Sequence, residues 1–425
     1  MLLTLLGEKE MKELTIQNVP VTTLKKEYGT PLFIYDEQKL LSNMAEFKEN
    51  FKSTKFETEI IYASKAFTCL AMVNLVKENG LSLDVVSGGE LYIANKVGMS
   101  KDRIYFHGNN KSGEELKMAL SLGVTHIVCD NFGEIQELEE IAKELNANVK
   151  VLIRMNTGVD AHTHKFIVTS HIDSKFGLIF NSEEYKKAIA FLEKSENLEF
   201  VGFHSHIGSQ IFEMDGFYAS IDKLLDMAST FSRPLILDMG GGFGIRYTSK
   251  DMPIPLGKVS KLLIEYMERK SSERNIPVKK FMIEPGRSIV AEAGYTLYTI
   301  GNQKVTPNKH YYFVDGGMAD NIRPALYQAE YDADVATRMD EPKTENITVA
   351  GKYCESGDII IENIPLQKAD KGDLLITYST GAYGYSMSSN YNKSTRPAIV
   401  FVKDGKSRLV VSRESYEDLI KNDIQ

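Results

Sequence analysis

The feature that most constrains this chain is a rhythm running from residue 59 to residue 283. Short apolar runs alternate with amphipathic segments. The runs occupy 59–63, 81–86, 103–106, 126–129, 149–155, 200–203, 234–239 and 281–283. Segments such as 68–79, 113–122, 132–146 and 182–194 space their apolar residues as helices do. Continuously apolar strands between helices mean a parallel sheet covered on both faces. Eight such units within about 230 residues match a (β/α)8 barrel, whose usual size is ~250 residues. An open doubly wound sheet is the competing arrangement.

The barrel makes a test of itself, because active sites of barrels sit at the carboxyl ends of the strands. Each run is followed by residues that a mere turn does not require. Lys65 follows the first, and Asp84 with Ser87-Gly88-Gly89-Glu90 ends the second. His107 to Ser112 follow the third, and Asp130-Asn131 the fourth. The fifth carries Arg154 and Asn156, and the sixth leads into His204-Ser205-His206-Ile207-Gly208-Ser209-Gln210. Gly240-Gly241-Gly242 follow the seventh, and Glu284-Pro285-Gly286-Arg287-Ser288 the eighth. The long irregular stretch 157–176 has the length of a lid or binding loop.

Beyond residue 288 the texture changes. Short strand-like runs at 289–298, 310–314, 346–349, 373–377, 398–402 and 409–411 are separated by turns with few helices. The expected organisation is therefore an N-terminal segment, 1–36, joining a β domain through its run at 31–36; a (β/α)8 barrel over 37–288; and a C-terminal β-rich domain, sandwich- or barrel-like, over 289–425. Residues 37–52 read as an amphipathic helix, and 1–30 as mixed.

Composition bounds the function. A net charge of −8 without a basic block argues against nucleic-acid binding. Cys69, Cys129 and Cys354 stand far apart, so neither a disulfide framework nor a cysteine zinc site is expected. Met1 to Leu6 are too few for a signal peptide, and no apolar run has transmembrane length. A soluble, cytoplasmic protein is expected, with no membrane partner.

A lysine at the end of a buried strand is part-desolvated, which lowers its pKa and makes it a nucleophile towards an aldehyde. The bland alternative is a strand-capping surface lysine. In a closed barrel the first and last strands are neighbours, about 5 Å apart, so Lys65 and Glu284 would face one space. Pyridoxal 5'-phosphate suits it: an aldehyde for the amine, a ring nitrogen for the carboxylate, and a phosphate. The glycines after strand seven, with Gly286, Arg287 and Ser209, suit that phosphate, although a glycine triplet also makes a tight turn. The plain alternative for Glu284 is an ion pair with Arg154 or Arg287. His206 could lie on a ring face or be a satisfied strand-end histidine. His-x-His also occurs at His162/His164, but no carboxylate or cysteine stands at ligand spacing, so no metal is expected.

The motifs Tyr62-Ala63-Ser64-Lys65-Ala66, His204 to Gln210, Gly240 to Gly244 and Glu284 to Ser288 resemble those of the barrel-type pyridoxal-phosphate decarboxylases (fold type III, alanine racemase-like). Asp315-Gly316-Gly317-Met318, Arg323-Pro324-Ala325-Leu326-Tyr327, Cys354 to Asp358 and Gly381 to Asn392 are similar to the diaminopimelate decarboxylases within that family. The resemblance runs from about residue 31 to 397. It implies decarboxylation of meso-2,6-diaminopimelate to L-lysine. It also implies roles. Lys65 carries the cofactor, His206 stacks on its ring, and Glu284 partners its nitrogen. Asp84, Ser209, Gly241, Gly242, Pro285, Gly286, Arg287 and Tyr383 complete the cofactor site. Arg287, Arg323, Tyr327, Glu355 and Tyr383 hold substrate. Cys354 is the proton donor, supplied across a homodimer with shared sites. Arg323 and Glu355 fit the distal carboxylate and ammonium of a two-ended amino acid. Phe67 and Thr157 depart from the usual asparagine and proline. Decarboxylases of carboxynorspermidine, ornithine, arginine or a D-amino acid are the nearest alternatives.

Overall fold

A computed structural model of the chain describes residues 12–159 and 173–424. His162, His164 and the centre of the 157–176 stretch lie outside the described residues, as do Met1 to Leu6. Two compact units are found. One comprises Leu41–Arg246 and Asp251–Val290; the other comprises Met1–Leu40, Tyr247–Lys250 and Ala291–Gln425.

The first unit is a closed parallel barrel. Its strands are β1 (Glu57–Ala63), β2 (Ser82–Val85), β3 (Ile104–Phe106), β4 (His126–Cys129), β5 (Val149–Asn156), β6 (Leu198–His204), β7 (Leu235–Asp238) and β8 (Val278–Ile283). They pair in sequence order, and β8 closes on β1 with Ile283 opposite Ile60. All eight expected runs are strands, and closure excludes the open sheet. Seven strands each give one side chain to an interior layer: Ile61, Tyr105, Val128, Leu152, Val201, Ile236 and Met282. That layer is the packed core of a barrel.

The connecting helices start where the sequence supplies caps. Ser87, Ser112 and Asn131 each accept a backbone N–H of the first turn, and Ser112 with Glu115 forms a capping box. The amino-terminal end of the barrel is closed by Glu59, which accepts from Lys280 (2.6 Å) and from the Tyr105 hydroxyl (2.9 Å). His126 stacks on Tyr105 with ring centroids 4.6 Å apart. Burial pushes its imidazole down to about 4.

The second unit is built on strands. Leu32–Asp36 lies between Gly294–Val305, antiparallel, and Ala398–Lys403, parallel. The run at 31–36 therefore joins the β sheet. The expected strand at 289–298 is instead a one-turn helix, Arg287–Val290, followed by a strand from Gly294. Ala333–Val335 and Ile359–Gln367 are strands, and Val21–Tyr28 a helix, that the pattern did not reveal.

Candidate active site

Closure of the barrel brings the ends of β1, β7 and β8 together. The amide of Ala63 donates to the carbonyl of Pro285 (3.3 Å), and the amide of Glu284 to that of Gly240 (2.9 Å). Such proximity explains two glycines. A Cβ on Gly286 would stand 2.9 Å from the Ala63 Cβ, and one on Gly241 would stand 2.3 Å from the Glu284 carbonyl oxygen. The tight-turn reading thus accounts for part of the glycine cluster, while Gly242 takes a left-handed φ of 106°.

Lys65 lies in the single turn after β1, its side chain two-fifths exposed, with Nζ 3.6 Å from Asp84 Oδ2. The amine is thus reachable from solvent and has a buried carboxylate beside it. Burial raises the Asp84 carboxyl, against the pull of His107 and Lys65.

Glu284 is buried, and its near partners are imidazoles rather than the arginines weighed from sequence. His204 Nε2 lies 3.1 Å from Oε2, and His107 Nε2 lies 2.9 Å from Oε1. Desolvation alone would raise the Glu284 carboxyl; His107 and His204 outweigh it and hold the group well below the usual carboxylate range. Asp238, next to it, is pushed well above its usual value by burial and by Glu284, while its Oδ1 accepts from the Gly240 amide at 2.9 Å. The two adjacent carboxyl groups are thus driven in opposite directions. Arg154 lies 3.9 Å from Asp130 and stacks on Phe176, 4.2 Å from the ring centroid.

The histidines of His-x-His separate. His204 ends β6, whereas His206 lies past the strand, its Nδ1 accepting from the Gly241 amide at 3.2 Å. Burial, then Lys65 and Arg154, holds the His206 imidazole neutral, well below its usual value. Arg287 donates through Nε and Nη2 to Ser209 Oγ at 3.1 and 2.9 Å. His107, His204 and Glu284 have the composition of a metal site, their ligand atoms lying within 4.8 Å of one another. Spacing along the chain could not reveal this trio, because its members come from three strand ends.

The loop bearing His107 is anchored by a buried lysine. Lys111 donates to the carbonyls of Gly108 (2.9 Å) and Val128 (2.8 Å) and pairs with Glu134 at 2.5 Å.

In the β unit, Arg323 begins a short helix, Arg323–Tyr327, and is buried. Its guanidinium lies 4.7 Å from the ring centroid of Tyr247 and 5.6 Å from that of Tyr331, and donates to the Tyr331 hydroxyl. Burial works against its charge, but the phenol groups outweigh burial and raise its pKa. Among the described residues, no carboxylate lies within 4.0 Å of it. Tyr247 and Tyr331 were missed from sequence, where nothing distinguishes them from core tyrosines. Tyr327 is half-buried, and Tyr383 is half-buried with a left-handed φ of 60°. Cys354 and Glu355 are exposed, which excludes the buried inert thiol. Their loop is fixed from beneath by Asp358, which accepts from the amides of Met318 (2.6 Å) and Tyr353 (2.8 Å).

These residues fit pyridoxal phosphate on their own chemistry. An accessible amine stands beside Asp84. Oε1 of buried Glu284 has no aligned hydrogen bond and can accept from a ring N–H. The Arg287–Ser209 pair offers donors to a phosphate.

Comparison with known proteins agrees. The model of the pyridoxal-dependent decarboxylase pyridoxal-binding domain matches residues 37–291. The chain is 47% identical to diaminopimelate decarboxylase of Bacillus subtilis, over 97% of this chain and 95% of that one. It is 46% identical to that of Halalkalibacterium halodurans, with the same coverage. The crystal structure of diaminopimelate decarboxylase from M. jannaschii in complex with L-lysine superposes with a TM-score of 0.90 at 33% identity, covering 99% of each chain.

Proposed function

The chain belongs to the diaminopimelate decarboxylase family of pyridoxal-dependent decarboxylases, and we infer that it converts meso-2,6-diaminopimelate to L-lysine and carbon dioxide, the last step of lysine biosynthesis. The observation that carries this reading is the meeting of β1 and β8, which sets Lys65 and Glu284 on adjacent strand ends.

Pyridoxal phosphate, when bound, supplies the electron sink that takes up the pair released as carbon dioxide departs. The chain's own residues do the rest. Lys65 offers the amine to the cofactor aldehyde, with Asp84 beside it. Glu284, kept anionic, holds a proton on the ring nitrogen. His206 would stack on the ring, where a neutral imidazole adds no charge. Ser209, Gly242, Gly286 and Arg287 would hold the phosphate, with Gly241, Pro285 and Tyr383 completing the cofactor site. Arg287 and Tyr383 also touch substrate. Arg323, Tyr327 and Glu355 bind the distal end, the arginine taking the carboxylate and Glu355 the ammonium. Cys354 returns a proton to Cα.

The exposed position of Cys354 supports a homodimer in which this thiol serves the barrel of a second copy. Three free cysteines support a reducing, cytoplasmic setting, and among the described residues no helix is long and apolar enough to cross a membrane.

The test is direct. Purified protein loaded with cofactor is incubated with meso-diaminopimelate, carboxynorspermidine, ornithine, arginine and D-amino acids. Release of lysine and carbon dioxide from the first alone is expected; preference for another member of the panel would replace the substrate assignment.

A further inference from the structure

His107 and His204 lie outside the roles that the family resemblance implies. Both are buried, and they reach Glu284 from the ends of β3 and β6. His204 has Nε2 on Oε2 at 3.1 Å while its Nδ1 is buried with no hydrogen-bond partner. A proton on Nδ1 would therefore be an orphaned buried donor. The ring is fixed as the neutral tautomer that donates from Nε2. Burial agrees, pushing the imidazole down to about 4. His107 sits between two carboxylates, 2.9 Å from Glu284 Oε1 and 3.8 Å from Asp84 Oδ1, with its ring edge-on to His204 at 4.8 Å. Its own backbone amide donates to Val85 (2.8 Å), and Lys111 pins the loop behind it.

A carboxylate buried without donors becomes protonated. An acid protonated in this place could no longer accept a proton-bearing ring nitrogen. We propose that His107 and His204 are positioning residues that hold Glu284 anionic and aimed, leaving Oε1 to accept the ring N–H of the cofactor. A carboxylate has about four acceptor directions, so both imidazoles and the ring nitrogen can be served together. The charged and titratable groups facing Glu284 are His107, His204, His206, Asp84, Asp238 and Arg154. His204 has an aligned Nε2–H on this carboxylate, whereas the His107 Nε2 is close without alignment. The inference rests on the reading that Glu284 partners the ring nitrogen.

The experiment follows the visible band of the protein-bound cofactor against pH, without substrate, in wild type, His204→Leu, His204→Gln, His107→Leu and Glu284→Gln. Removing a donor to the anion moves the pH midpoint of that band by about one unit or more. His204→Leu and His107→Leu are expected to shift it. His204→Gln, which keeps an N–H donor near the Nε2 position, is expected to return it towards wild type. A band unchanged in both leucine variants but shifted in Glu284→Gln overturns the role of the histidines alone. A band unchanged in Glu284→Gln overturns the reading beneath it. Nitrogen-15 histidine spectra of the wild-type holoenzyme give a second readout that needs no variant to fold. A His204 ring neutral and protonated on Nε2 down to pH 5 supports the proposal; one that titrates near pH 6.5 overturns it.

Discussion

Lys111 and Glu134 form an ion pair at 2.5 Å with side chains only 1% and 4% exposed. A pair so deep is costly to break, because removing one charge strands the other in a poorly polarisable interior. Lys111→Met is expected to destabilise the protein by about 3–5 kcal/mol, since Glu134 loses its counter-charge. Lys111→Met with Glu134→Leu in the same chain should recover most of that loss. Urea midpoints of the two variants decide it.

In the proposed reaction Lys65 receives the cofactor aldehyde, and Lys65→Ala removes that amine. The visible band of bound cofactor should vanish, and lysine formation should fall by on the order of 10³-fold or more, about 4 kcal/mol of barrier. A retained band means that another amine carries the cofactor.

Arg323→Ala should lower kcat/KM for diaminopimelate by roughly 10- to 100-fold, the worth of a hydrogen bond to a charged group. Steady-state kinetics read this directly. Wild-type selectivity in the variant would assign the distal carboxylate to a different residue.

Cys354→Ala should slow turnover by roughly 10²- to 10⁴-fold, the usual contribution of a positioned proton donor, while the cofactor band stays. Unchanged turnover removes this thiol from the reaction.

Stability should fall on acidification from pH 7 to pH 5. His126 is neutral in the fold, its imidazole pushed down to about 4, whereas the unfolded chain takes up the proton near 6.5. The unfolded state binds more protons across that window, so stability rises with pH there and is lost as pH falls. The contribution of His126 is about 2 kcal/mol between pH 7 and pH 5. His126→Gln should flatten the pH dependence of the urea midpoint by that amount.

Much of the barrel was legible because most of each strand is buried and reads as a short apolar run, as Ile127-Val128-Cys129 does. Lys65, Glu284 and Arg287 were legible because strand ends collect the unusual residues. The β unit was read less completely. The strand Ile359–Gln367 sits at one end of its sheet and contains Glu362, Asn363 and Pro365, so no alternation marks it. The helix Val21–Tyr28 begins with Val-Thr-Thr, β-branched residues that favour strands. The two imidazoles on Glu284 were hidden for another reason. His204 stands two residues from His206, a spacing that suggests a shared face and hides its separate partner, and His107 belongs to a loop that only closure carries to the carboxylate.

The strand Leu32–Asp36 hydrogen-bonds to Gly294–Val305 and Ala398–Lys403, so its partners leave the ribosome long after it does. During synthesis the barrel can complete itself while this apolar strand waits with both edges open. A nascent chain of this design therefore carries an unpaired apolar strand through much of translation, open to wrong pairing until residues 294–305 and 398–403 are made.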